Sequence, residues 1–133
     1  MPSGIYERLF ANLMNKEIDL EADVVKVALL DNSHVFDGAD NLWTDVSANE
    51  ISGTGYSAGG KTLAGKAVTQ ATITKWDGNN VLWTSAVFSA YHAVIYSGTD
   101  LIASIDFGGI QSVADGNFEI VWSADGIITL TET

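Results

Sequence analysis

The residues with the most specific spacing for chemistry lie between Gly55 and Thr62, where GYSAGGKT matches the phosphate-loop pattern G-x-x-x-x-G-K-[ST]. In nucleotide-binding proteins this loop presents backbone N–H groups to phosphate, between a buried parallel strand and the N-terminus of a helix. Residues 49–54 do not read as a buried strand, and the stretch after Thr62 contains Gly65 and then β-branched residues, which disfavour a helix. We therefore expect a glycine-rich structural loop and no nucleotide site.

Metal-ligating residue types occur, but without the spacing of a metal site. Four aspartates in one polar segment offer the hard oxygen atoms that Ca²⁺ prefers. They are Asp31, Asp37, Asp40 and Asp45. Their spacing matches no calcium-loop pattern, and His34 and His92 fall on separate segments without a close-spaced ligand pair. The sequence predicts a solvated acidic loop, with no metal and no cofactor.

Signatures of nucleophilic and glycosidic catalysis are also missing from the sequence. The chain has no cysteine and no G-x-S-x-G elbow, and no spacing singles out a catalytic pair among its seventeen acidic residues. We therefore expect that the chain is not an enzyme.

The aromatic residues allow two interpretations. Tryptophans exposed at loops would form stacking platforms for sugars, and Trp43 and Trp76 are the best candidates because both border turn-rich segments. Alternation instead places Trp83, Ser85 and Val87 on one strand face, which is how a core is built. The second interpretation is the stronger one.

One helix is expected, within residues 1–17. Pro2 and Ser3 supply an entry signal, and Glu7 lies in the first turn, where the helix dipole favours an anion. The apolar residues at the spacing of a helix face are Ile5, Leu9, Phe10, Leu13 and Met14. A helix this short has only marginal stability on its own. Its apolar stripe must therefore dock on the chain's own sheet or on a neighbouring subunit.

From residue 23 onward the pattern becomes β-branched and alternating, which predicts strands. The expected strands are Val24–Leu30, Val68–Thr74, Val81–Phe88, Ala90–Tyr96, Leu101–Phe107, Phe118–Trp122 and Ile127–Thr131. Turn signals predict hairpins at residues 76–81, 97–100 and 123–126. The expected fold class is mainly β, an antiparallel β-sandwich or barrel of about seven strands with one N-terminal amphipathic helix.

Length and charge limit the organisation and the partners. A chain of 133 residues suits one domain, 1–133, with the helix in 1–17 and the β part in 23–133. Six basic residues against seventeen acidic ones give a net charge of -11, which disfavours nucleic acid and anionic membrane surfaces as partners. The segment Met1–Gly4 lacks the basic and apolar regions of a signal peptide, so we expect synthesis in the cytoplasm.

Four segments spread over most of the chain are distinctive in combination. They are Tyr6–Phe10 (YERLF), Asp23–Leu30 (DVVKVALL), Gly53–Leu63 (GTGYSAGGKTL) and Asp106–Gly109 (DFGG). Together they resemble a family of small acidic proteins encoded among the virion structural genes of tailed bacteriophages and prophages. The resemblance implies a virion component of the head or tail and no catalytic residues.

The functional expectation that follows is a capsid decoration or minor head protein, made in the host bacterial cytoplasm. It would be a homo-oligomer, with a trimer as one option, and would stabilise the shell by contacts with the major capsid protein or another virion protein. The alternative is a tail-associated module that binds a carbohydrate or a receptor. The expected interface is the stripe of Ile5, Leu9, Phe10, Leu13 and Met14, or the region around Trp43 and Tyr56, because aromatic anchors dominate interfaces.

Overall fold

Two antiparallel sheets and one α-helix make up the regular structure of residues 3–131, the part of the chain that this computed structural model describes. The expectation of a mainly β chain with antiparallel sheets and one helix is confirmed. The described residues form eight strands instead of about seven, and neither of their sheets closes on itself.

The elements follow one another with a long irregular stretch between the second and third strands. In chain order they are β1 (Gly4–Ile5), α1 (Arg8–Met14), β2 (Val25–Leu30), β3 (Lys61–Thr62), β4 (Ala67–Thr69), β5 (Ile73–Asp77), β6 (Val81–Ser97), β7 (Asp100–Ile120) and β8 (Ile128–Thr131). Two single-turn 3₁₀ helices, Trp43–Asp45 and Ser47–Asn49, lie between β2 and β3. The larger sheet has the order β1-β7-β6-β2-β3, and the smaller one has the order β4-β5-β8.

The β6–β7 hairpin is the longest element of the fold, with strands of 17 and 21 residues. The predicted turn at 97–100 joins the two strands as expected. Each strand merges two of the predicted ones, because the breaks in the apolar pattern are bulges and not turns. At the largest bulge, residues 107–110 of β7 lie between the pairs His92–Asp106 and Ala90–Gln111. These four residues of β7 therefore lie opposite a single residue of β6.

A second irregularity in β6 changes which side chains face the core. Ser85 has a φ of 49°, and the register shifts between Trp83 and Ala86. Trp83, Ala86 and Phe88 are buried as a result, whereas Val87 is exposed. The prediction that Trp83 and Val87 share a face was therefore wrong, because a bulge interrupts the two-residue period between them.

The smaller sheet corrects the other two predicted hairpins. The turn after β5 leads into β6 of the larger sheet, and the turn at 123–126 leads from β7 to β8, which pairs with β5. The predicted strand Val68–Thr74 is divided between β4 and β5, which pair with each other. The turn signals were real, but a local turn does not decide which strand the chain joins next.

The N-terminal helix is shorter than predicted. Ile5 belongs to β1, where it pairs with Ala103 of β7, and Tyr6 N donates to the carbonyl of Ile102 at 3.1 Å. This pairing holds the chain extended and delays the helix to Arg8. Leu9 is buried in the main core, so α1 docks on its own protein.

The glycine-rich segment 53–60 packs its backbone against β2 and β6, which are neighbours in the larger sheet. Gly60, with a φ of 83°, lies where a Cβ atom would collide with the carbonyl of Val27 in β2. Gly55, with a φ of 84°, lies against the carbonyls of Thr84 and Ser85 in β6. The next residues form β3 and not a helix, which confirms that part of the prediction.

Two glycines with nearly the same φ allow two destabilising effects of an added side chain to be measured apart: the cost of the positive φ and the cost of a steric collision. Gly108 has a φ of 81° but open space around its Cβ position, so Gly108→Ala should destabilise the fold by about 1 kcal/mol. Gly60→Ala adds the collision with Val27 and should cost about 3 kcal/mol or more. Urea unfolding of both variants measures the difference, and equal costs would contradict the close packing of segment 53–60.

Candidate protein-binding surface

An apolar crevice lies where α1 packs on one face of the smaller sheet. The register of β4, β5 and β8 places alternate residues on that face. The sheet residues that line the crevice include Val68, Thr74, Trp76, Ile128 and Leu130. Leu9, Phe10 and Leu13 line it from the helix, and the space between the two sides is about 60 Å³. The crevice is almost filled by the packing of the helix on the sheet.

Large apolar side chains remain exposed around this crevice. Phe10 is 44% exposed, Val68 42% and Leu130 56%, and all three line the crevice. Met14 is 85% exposed and follows Phe10 by four residues, which puts both on the same side of α1. We call Phe10, Met14, Val68 and Leu130 the α1 surface. In other proteins, exposed apolar clusters of this kind mark the surface that contacts a partner.

The structure divides the predicted helix stripe into two groups. Leu9 is buried and Leu13 is half-buried against the main core, so both hold α1 in place. Ile5 is half-buried in β1 and does not belong to the helix. Phe10 and Met14 are exposed and free to contact a partner.

Trp43 lies in a second hydrophobic cluster that does not include the crevice. Its ring stacks on Tyr96 with a centroid distance of 4.5 Å and an interplanar angle of 5°. Its backbone N–H donates to the carbonyl of Thr99 at 2.8 Å, which ties the first 3₁₀ helix to the β6–β7 turn. Trp43 is half-buried beside this stacked partner.

Tyr56 has a structural role inside the glycine-rich segment. Its hydroxyl donates to Glu50 at 2.5 Å and accepts from Leu29 N of β2 at 3.1 Å. Glu50 also accepts from Gly59 N at 2.7 Å. Burial, followed by the hydrogen bond to Glu50, raises the pKa of the Tyr56 phenol far above its usual value. The phenol is thus held neutral, and it fastens the segment to β2.

The tryptophan predicted as a sugar platform at the end of β5 is buried instead. Trp76 is 2% exposed and donates from Nε1 to the carbonyl of Leu20 at 2.9 Å. Its prediction as an exposed loop residue was wrong, because α1 and residue 20 cover the sheet face on which it lies. Trp122 donates from Nε1 to Asn79 O and is half-buried.

The aspartates of the acidic segment form local turns. Asp31 accepts from Ser33 N, and Asp37 accepts from Ala39 N. Asp45 accepts from two backbone N–H groups, which lower the pKa of its carboxyl. Among the described residues, no group of three His, Cys, Asp or Glu side chains is placed to hold a metal ion.

The two histidines of the chain meet, which the sequence did not indicate. The ring centroids of His34 and His92 are 5.0 Å apart, and Nε2 of the buried His34 lies 3.0 Å from the hydroxyl of Ser104. Nδ1 of His92 lies 3.9 Å from Asp106. Burial, followed by the neighbouring His92, lowers the pKa of His34, against the smaller opposing effect of Asp31 and Asp106. Only the packing of the loop after β2 on the sheet creates this pair.

This histidine pair should make the fold sensitive to mild acid. Because the pKa of His34 is lowered on folding, the unfolded chain binds a proton first as the pH falls below about 6.5. The free energy of unfolding should decrease below that pH, by at most about 1.4 kcal/mol per pH unit for this residue. Urea unfolding between about pH 7.5 and 5.5 measures it, with His34→Gln as the variant that should lose much of this dependence. An unchanged slope in that variant would contradict the assignment.

The Tyr56 hydroxyl should contribute more to stability than a tyrosine hydroxyl that has no such contacts. Tyr56→Phe leaves Leu29 N without its acceptor and Glu50 without one of its donors, so it should cost about 1–3 kcal/mol. Tyr91→Phe, on half-buried Tyr91 in β6, is the matched control and should change the free energy of unfolding by less than about 0.5 kcal/mol. Thermal or urea unfolding compares them, and equal effects would argue against the role of Tyr56.

No protein-family model, no curated protein and no solved structure matches this chain. Within residues 3–131, no helix has the length and apolar character that crossing a bilayer requires.

Proposed function

We propose that this chain is a structural protein of a bacteriophage virion, a capsid decoration or minor head protein that stabilises the shell by contacts between proteins. Two sheets packed across one core as a β-sandwich would form its body, because buried residues of both sheets belong to the same hydrophobic cluster. The resemblance of the four sequence segments supports the location in a virion. The α1 surface supports the mode of action.

The α1 surface is the observation that carries the proposal. Its four side chains are apolar and exposed around a helix that is otherwise well docked. Covering them would remove apolar area from water, at about 25 cal/mol for each Å². Phe10 and Met14 have the residue types that are enriched at protein interfaces. A protein partner is therefore the occupant that this chemistry favours.

The charge of the chain complements this surface. A net charge of -11 keeps free copies soluble and keeps them away from packaged DNA. Assembly then requires an uncharged patch, since acidic surfaces repel each other. The α1 surface supplies such a patch, and we propose that it joins copies of this chain into an oligomer on the shell, with a trimer as one option.

A second function rests on Trp43. Its indole ring lies flat against Tyr96 and the residue is half-buried, so it keeps some contact with solvent, as a sugar-stacking residue needs. A tail-associated module that binds a carbohydrate or a receptor is thus the alternative. Titration with simple sugars, monitored by tryptophan fluorescence in the wild type and in Trp43→Leu, tests it. Saturable quenching lost in the variant would support carbohydrate binding at Trp43, and an unchanged signal in the wild type would reject carbohydrate binding.

Removing the exposed apolar groups should abolish self-association without unfolding the chain. Phe10→Ser combined with Met14→Ser leaves Leu9 and Leu13 in place, so the melting temperature should stay within a few degrees of the wild type. Light scattering over a concentration series should give a closed oligomer for the wild type and a monomer for the variant.

The matched control changes equally exposed apolar residues outside the α1 surface. Val35 is 76% exposed and Val121 is 66% exposed, so Val35→Ser combined with Val121→Ser removes comparable apolar area. This control should keep the mass of the wild type. A variant at Phe10 and Met14 that assembles like the wild type would show that the surface does not join copies.

A further inference from the structure

Residues 31–49 cover the face of the larger sheet that points away from the main core. Alternate residues of β2 and β6 point to this face, because side chains alternate along a strand. The buried residues of the second hydrophobic cluster are Tyr6, Ala28, Leu30, Val46, Val94, Tyr96 and Leu101. Phe36 and Trp43 pack against this cluster from the covering segment. The cover therefore keeps an apolar sheet face out of water.

The two ends of this cover are held in different ways. Two backbone hydrogen bonds, of 3.0 and 2.8 Å, tie Asn41 and Trp43 to the β6–β7 hairpin near its turn. We call residues 32–38 the flap. Among the described residues, the flap makes no backbone hydrogen bond to the sheet, and its link to the N-terminal segment is Glu7 N, which donates to the carbonyl of Gly38 at 3.0 Å. Side chains therefore hold the flap on the sheet.

The flap has one apolar anchor and one polar anchor of this kind. Phe36 packs on Tyr6 with a centroid distance of 5.0 Å, and it lies so close to Gly4 that a Cβ atom there would collide with its ring. His34 is 3% exposed, and its Nε2 lies 3.0 Å from the hydroxyl of Ser104, which is buried in β7. A change at either anchor should therefore loosen the flap.

His34 is the anchor that can change its charge near neutral pH. The ionisable groups around its contact with Ser104 are Asp31, Asp37 and Asp40 of the covering segment, Tyr6 beside β1, His92 of β6 and Asp106 of β7. Burial, followed by the nearby His92, lowers the pKa of His34, and the opposing effects of Asp31 and Asp106 are smaller. The closed flap thus keeps His34 neutral.

We propose that acid opens the flap locally, by protonation of His34, while both sheets keep their pairing. A positive charge on this buried ring, beside a second histidine, is more stable in water, so protonation drives the ring outward. Phe36 moves with it, because only one residue separates the two anchors. Opening uncovers Tyr6 and the apolar sheet face under the flap.

The direction of the pH effect follows from proton linkage. Because the closed flap lowers the pKa of His34, the open form binds the proton more tightly. The closed form is therefore favoured above about pH 6.5, and the open form gains up to about tenfold in population for each pH unit below it. This inference does not rest on the proposed function. It also differs from a general loss of stability, because the main core stays closed.

The chain has no cysteine, so a single introduced thiol can report the opening. Val94 is buried in the second cluster and pairs with Ser104, whereas Val27 is equally buried in the main core. Val94→Cys therefore reports the flap, and Val27→Cys is the matched control that reports unfolding of the whole chain. The reagent is dithiodipyridine, which reacts with thiols in acid. Each rate is divided by that of the same variant unfolded in urea at the same pH.

The two thiols should behave differently. Val94→Cys should react at least about tenfold faster than its own free energy of unfolding allows, and low urea should barely change its rate. Its normalised rate should rise about fivefold to tenfold from about pH 7.5 to 5.5, and His34→Gln in the same chain should remove that rise. Val27→Cys should react only as fast as its free energy of unfolding allows.

Amide exchange in the wild type gives a second readout that needs no cysteine. Glu7 N donates to Gly38 of the flap, and the neighbouring Tyr6 N donates to Ile102 of β7. The Glu7 amide should be less protected than that of Tyr6. Its protection, corrected for the intrinsic pH dependence of exchange, should decrease below about pH 6.5 in the wild type but not in His34→Gln.

Three results would overturn the proposal. The first is a Val94→Cys thiol that reacts no faster than its free energy of unfolding allows, because the flap would then open only with the whole chain. The second is a rise in acid that persists in His34→Gln, which would assign the trigger to another group. The third is protection of the Glu7 amide that does not change with pH in the wild type.

Discussion

The pairing of β6 with β7 is the constraint on which the other features of the structure depend. The two strands run together from the turn at 97–100 to the pair Val81–Ile120, and they carry β2 on one side and β1 on the other. Their bulges bring Trp83 and Phe118 into one aromatic cluster with a centroid distance of 6.0 Å. The same register places His92 beside the loop that carries His34. A uniform register would remove these contacts.

Two opposite tendencies are combined on the surface. The acidic charge of the chain resists non-specific association, whereas the α1 surface exposes apolar groups that favour contact with protein. A protein that must stay soluble before assembly and then bind firmly at one place needs both properties. This combination is what makes a structural role in an assembly a coherent proposal for the chain.

Much of the fold could be predicted from local patterns, and the exceptions have physical causes. The β-branched run of β2 and the turn at 97–100 were identified, because propensity and turn chemistry act within a few residues. The bulges at Ser85 and Gly108 were not, since a positive φ within a strand is imposed by the pairing of the whole hairpin. Ile5 was assigned to the helix because its spacing fits, but its pairing with Ala103 decides otherwise.

The candidate site was predicted only in part, because local sequence patterns do not show contacts between distant segments. The stripe on the helix was identified, yet only contact with the smaller sheet shows that Leu9 supports the fold while Phe10 and Met14 are exposed. Val68 and Leu130 were missed as members of the surface, because they lie far from α1 in sequence and join it through the register of β4, β5 and β8. The partnership of Tyr56 with Glu50 likewise depends on how the loop folds back on β2.

The most direct test of the proposed structural role is to determine the protein composition and an image reconstruction of phage particles purified from bacteria that carry the gene for this chain. If the proposed role holds, the chain is present in many copies at regular positions, with the α1 surface covered by a neighbouring protein. Particles that lack the chain, or that carry it with Phe10 and Met14 facing solvent, would contradict it.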